Sequence, residues 1–111
     1  MRFFKIQPTS SISHEFYVRQ LGSFVLKKLR FEIREEVAIF SDRLSQRLAS
    51  KKFITANDHL ACVIIATKVL DDESEYSNSF FAEKAGLACE ELIDKICFEV
   101  LDILDWRVSP F

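Results

Sequence analysis

Three cysteines, Cys62, Cys89 and Cys97, and two histidines, His14 and His59, are the side chains of this 111-residue chain best suited to hold a metal or attack a substrate. Their spacing supports neither role. There is no Cys-x-x-Cys pair, and neither histidine stands at ligand spacing from the other or from a cysteine, so no metal site is predicted. An odd cysteine count also argues against a disulfide framework. The three read as buried thiols in a reducing, intracellular compartment, cytoplasmic or nuclear. The sequence contains no Gly-rich phosphate loop and no nucleophile set beside a base. The expectation is a protein that is not an enzyme and carries no cofactor.

Charge is the remaining chemistry. Residues 1–54 carry eleven Lys/Arg against five Asp/Glu, a net +6, whereas residues 55–111 carry four against twelve, a net −8. The molecule should therefore be polarised. Nucleic-acid readers cluster basic and aromatic residues on one face. Here the basic residues are spread through a helical pattern and opposed by an acidic half, so no nucleic-acid partner is expected. Lys68 is followed by the acidic run Asp71, Asp72, Glu73 and Glu75. Acids at the end of a helix oppose its dipole at a cost of about 0.3–1 kcal/mol each. Three readings stand together: a wet loop, acids that favour the start of the next helix, or a carboxylate patch offered to arginines of a partner.

These side chains need elements to position them, and the apolar periodicity supplies five helices. The first carries Tyr17, Leu21, Phe24, Val25 and Leu29, with Ser11 or Ser13 as cap; the second carries Ile33, Val37, Phe40, Leu44 and Leu48. No Gly or Pro divides them, so a single bent helix is the alternative. The third opens at Thr55 with Asp58 three residues on, a capping pattern. It then runs apolar from 60 to 66, nearly twice round a helix, and must be central. A buried strand also suits so short a run, but continuation to Leu70 favours helix. The fourth covers about 78–85 and stops at Gly86; the fifth shows Ile93, Ile96, Cys97, Val100, Leu101 and Leu104, with Glu90 and Glu91 in its first turn. No apolar stretch is long enough to span a bilayer, so no membrane partner is expected. With 49% apolar and 29% charged residues, the chain can bury one core and is predicted to be a soluble all-α domain.

On those helices lie four short motifs. Ser41-Asp42-Arg43-Leu44 is similar to "IDRL" of the cyclin box, and Asn57-Asp58-His59-Leu60 to the "N-x-H-x-L" that opens its third helix. Ala66-Thr67-Lys68-Val69-Leu70-Asp71-Asp72, followed by Tyr76-Ser77-Asn78 and Phe81-Ala82, resembles "ASKFLDD…Y-x-N…YA" of the single-box P/U-type, phosphate-signalling-like cyclins. Leu101-Asp102-Ile103-Leu104-Asp105-Trp106-Arg107-Val108 resembles their "FLELLDFRLSV" ending. The resemblance implies a five-helix cyclin box at 13–108, an N-terminal segment at 1–12 and a short C-terminal stub at 109–111.

The same resemblance implies a regulatory subunit that docks on a cyclin-dependent protein kinase and favours its active state. Lys68 stands where the family keeps a lysine that holds the kinase; read alone, it is a solvated lysine at a helix C-terminus. The family pairs that lysine with a Glu on helix five, a slot that falls on Cys97 or Ile96 here. The nearest carboxylate on that side is Asp94, at i−3 from Cys97. The partner-binding residues implied are thus Lys68, Asp71, Asp72, Asp94 and Cys97. Tyr76, Phe81 and Trp106 are expected to pack in the core. A scaffold of the same fold that binds without activating is the alternative, and an adaptor like general transcription factor IIB is opposed by the acidic half. Because related cyclins continue beyond helix five, an isolated box is also expected to expose apolar surface and to associate with itself.

Overall fold

The computed structural model describes residues 11–71 and 76–108, with side chains from residue 16 onward. Five helices appear in order: α1 (Ser11–Leu26), α2 (Phe31–Ala49), α3 (Ala56–Leu70), α4 (Asn78–Ala85) and α5 (Glu91–Ile103), with no strand among the described residues. The all-α expectation holds. None of these helices is long and apolar enough to cross a membrane.

The continuous apolar run does what its pattern demanded. Every residue from Leu60 to Thr67 is buried, and α3 is packed by α1, α2 and α5. A helix with no polar side has no stable position except the centre. Around it, Val25 and Leu29, then Val37, Phe40, Leu44 and Leu48, then Ile93, Val100, Leu101 and Leu104 complete one core. The short α4 departs from the expected sheath. It lies chiefly against α1 and α5, where it buries Phe81 completely.

Local chemistry fixes the ends of the helices. Thr55 and Asp58 form the expected reciprocal capping box, Asp58 amide to Thr55 Oγ1 at 3.2 Å and Thr55 amide to Asp58 Oδ2 at 2.9 Å. Lys52 reaches the same carboxylate at 2.7 Å. Ser77 caps α4, and Gly86, at φ +73°, ends it in the left-handed conformation that glycine adopts without strain. At α5 the N-cap residue is Glu90, in a helical conformation, and it makes no side-chain cap. The helical caps considered for α1, Ser11 and Ser13, lie outside the residues whose side chains are described.

The boundary between α1 and α2 is a real break, not a bend. α1 stops at Leu26, Leu29 is buried as an anchor, and Arg34 Nη2 donates to the Leu29 carbonyl at 2.8 Å. The break is also tied to a distant element: the Arg30 amide donates to the Tyr76 hydroxyl at 2.7 Å. No local residue signals this joint, because its partner is 46 positions away.

One crossing is unusually close. At Gly22, α1 passes so near α3 that a Cβ there would lie 2.6 Å from His59 Cε1 and 3.2 Å from Val63 Cγ2. Gly inside a helix costs roughly 1 kcal/mol of propensity. Its use here is steric. His59 is buried below Gly22, its Nδ1 has no hydrogen-bond partner among the described residues, and its pKa falls to about 4, first through burial and then through the nearby Arg19 charge. Arg19 itself pairs with Asp42, joining α1 to α2.

Candidate docking site

Three helix ends converge around Lys68. It occupies the last turn of α3, where a cation favours the dipole, and its ammonium donates to Asn78 Oδ1 at the start of α4. Asn78 Nδ2 then donates to Asp94 Oδ1 at 2.9 Å, in the first turn of α5, where an anion is favoured. Lys68 and Asp94 are thus joined through an amide. This is what the structure offers in place of a direct lysine–carboxylate pair. The bridge by Asn78 was not expected from sequence, although the family-like Tyr76-Ser77-Asn78 motif placed that residue in the right neighbourhood.

The corner opens on two depressions that share Lys68. One, of about 390 Å³, is lined by Lys68, Asn78, Glu90, Glu91 and Asp94. The other, of about 370 Å³, is lined by Thr67, Lys68, Asp71, Tyr76 and Ser77. Thr67 is spent inside the fold, its hydroxyl donating to the Val63 carbonyl at 2.7 Å. The surface therefore mixes one exposed cation with several carboxylates, a pattern suited to recognising polar and basic groups of another polypeptide.

The expected site residues divide sharply in this setting. Lys68 and Asp94 are exposed and meet through Asn78. Cys97 lies one turn beyond Asp94 but is buried, and its thiol is pushed up to about 12, mainly by burial, with Asp94 adding to the rise and Lys68 opposing it. It stays protonated and belongs to the hydrophobic core. Asp71 is also buried, with its carboxylate 3.4 Å from Arg30 Nη2. It ties the exit of α3 to the start of α2. Asp72, with Glu73 and Glu75, lies outside the described residues, as do Ser109, Pro110 and Phe111. Of the other cysteines, Cys62 is buried with its thiol raised to about 11, whereas Cys89 is exposed, contrary to the expectation that all three are interior.

Further along α5 and past its end, two large aromatic side chains are exposed. Tyr76 and Phe81 pack inward as expected, but Trp106 does not: it is 57% exposed. Asp105 and Trp106 take consecutive left-handed conformations at φ +56° and +59°. Each such non-glycine residue costs on the order of 1–3 kcal/mol unless its surroundings hold it. The turn is held by Trp106 amide to Leu101 carbonyl at 2.8 Å, by Arg47 donating to the Arg107 and Leu104 carbonyls, and by Trp106 Nε1 to Asp102 Oδ1 at 3.0 Å. The indole lies against Phe98, ring centroids 5.9 Å apart, and Phe98 is itself half exposed. Phe98 follows Asp94 by four residues, so both project from one face of α5. Its departure from the apolar stripe of α5 was the available signal.

The chain is similar to Cyclin-P1-1 of Oryza sativa subsp. japonica, 33% identical over 72 residues that make up 62% of this chain and 26% of that protein. The match supports a relationship to the cyclins. It spans about a quarter of the curated relative's length. No protein-family profile matches the sequence, and no solved structure matches it.

Proposed function

We propose that this chain is a cyclin-like regulatory subunit that docks on a cyclin-dependent protein kinase through the α3–α4–α5 corner and favours the kinase's active conformation. The observation that carries this reading is the Lys68–Asn78–Asp94 relay, set on three helix ends, with the exposed Phe98 one turn along α5 from Asp94 and Trp106 packed beyond it. An aromatic pair next to fixed, oriented polar groups is the composition of a strong interface centre. The similarity to Cyclin-P1-1 supplies the class of partner.

The physical requirement is a population shift. A kinase becomes competent when an internal Lys–Glu ion pair forms. Driving a 1:99 equilibrium to 99:1 takes about 5.5 kcal/mol of preferential binding to the active form. A rigid corner built from three helix termini favours one partner conformation over another, because it cannot reshape itself to fit both.

The test measures binding and activity together, using the purified chain against a panel of purified cyclin-dependent kinases. The reading expects at least one kinase to bind and to be stimulated, and Lys68→Glu with Phe98→Ser to abolish both while helical circular dichroism is retained. Binding without stimulation selects a non-activating scaffold. Absence of binding across the panel removes the proposal.

A further inference from the structure

Two helix faces remain that the core does not use, and they are opposite in charge. On α1 the outward positions carry Phe16, Tyr17 and Phe24, exposed by 66%, 72% and 49%, and the stripe runs into Lys27 and Lys28 where the helix ends. The Lys28 ammonium sits 4.8 Å from the Phe24 ring centroid, which holds a cation over the aromatic surface. On α5 the exposed positions are Glu91, Asp94, Lys95, Phe98, Glu99 and Asp102, four carboxylates against one cation, with Trp106 lying against Phe98. One stripe is aromatic and basic; the other is aromatic and acidic.

We propose that a second copy of this chain is the occupant of these faces, its α1 stripe laid across the α5 stripe of the first. Two observations favour a copy over an unrelated protein. The complementary surfaces already exist in a single sequence, in line with its +6 and −8 halves. They also cannot satisfy each other within one molecule, since α1 and α5 each pack an inner side on α3 and turn the stripe away from it. The contact is heterologous, so each molecule added leaves one stripe of each kind open and association continues beyond a dimer. Two faces of about three turns bury less than the roughly 1,200 Å² that marks the lower end of stable interfaces, so assembly requires high concentration. The interface uses the α5 edge that the proposed kinase docking also borders, but it does not depend on that reading and is tested without a kinase.

Sedimentation of the chain alone tests it. At about 100 µM and low salt, where a weak contact with a micromolar Kd is populated, the average mass is expected to rise well above the monomer's 12.9 kDa. It should fall back at about 1 M salt, where charges are screened beyond about 3 Å. Lys27→Glu with Lys28→Glu should leave a monomer, and so should Glu91→Lys with Asp102→Lys. An equimolar mixture of the two variants, each shown to be helical by circular dichroism, should assemble again, because the reversed α1 of one variant meets the reversed α5 of the other and their unaltered faces pair as in the wild type. Phe24→Ser provides a fold-neutral second test and should weaken assembly at least tenfold. A monomeric wild-type chain at low salt, assembly indifferent to salt or to the lysine reversals, or a mixture that stays monomeric would each overturn the proposal.

Discussion

At the Gly22–His59 crossing an imidazole is sealed beneath a helix, whereas at the Lys68–Asn78–Asp94 corner an ammonium, an amide and a carboxylate are left facing water. The first has a buried ring nitrogen with no hydrogen-bond partner among the described residues; the second has its polar groups joined in sequence. A stability argument alone would reverse this, since unsatisfied polar atoms are costly inside and cheap outside. The difference shows what each place is for. The crossing uses closeness to hold α1 on α3 and accepts a neutral imidazole as filler. The corner holds exposed groups in one arrangement, which contributes little to stability and, on the proposed reading, serves recognition.

Breaking the crossing should have the largest effect on the fold. Gly22→Val forces side-chain atoms into His59 and Val63, and a loss of about 3 kcal/mol or more is expected in chemical denaturation. His59→Ala in the same molecule should recover part of that loss, because the two effects share one contact.

Acid should act on the same place. His59 has its pKa depressed from 6.5 to about 4 in the folded state, so between those values the unfolded chain binds a proton that the folded one refuses. Its contribution is present in full above pH 6.5 and is lost progressively as the pH falls towards 4, on the order of 3 kcal/mol in all. His59→Gln should flatten the stability profile across this window. A slope unchanged by that substitution would place the titration elsewhere.

Asp71 gives an intermediate case. Its carboxylate is buried against Arg30, which is itself partly open to water. Asp71→Ala should cost about 2 kcal/mol, below the range for a wholly buried pair. The same variant sharpens the comparison, since a residue that holds α3 to α2 should lower the unfolding midpoint far more than it lowers affinity for a partner.

The legible features were those set by local rules. The all-apolar run from 60 to 66 dictated a central helix, Thr55 with Asp58 announced a capping box, and Gly86 marked the end of α4; all three are realised. The candidate site was legible only in part. Lys68 and Asp94 could be named, but the Asn78 link depends on how three helix ends meet, which no single helix encodes. Asp71 looked like a surface acid because its partner lies 41 residues away. Trp106 looked like a core residue because size and hydrophobicity say so, whereas two left-handed residues turn it outward. In each miss a long-range contact or a backbone conformation overrode the preference of the side chain.

The smallest effect on stability is expected at the corner, where the two regions should separate most cleanly. Asn78→Ala removes the amide that joins Lys68 to Asp94 but leaves the α4 cap intact, because that cap belongs to Ser77. Exposed polar contacts of this kind are typically worth under about 1 kcal/mol, so the unfolding midpoint should hardly move. Binding to a partner kinase should still weaken by about tenfold, since Lys68 and Asp94 would then have to be ordered at the moment of docking. Asn78→Asp is the finer probe. It retains an acceptor for Lys68 but removes the donor to Asp94 and sets two carboxylates side by side, so Lys68 should remain held while Asp94 is repelled. If affinity falls equally in both variants, the donor to Asp94 is the half that matters; if only Asn78→Ala loses affinity, the hold on Lys68 is.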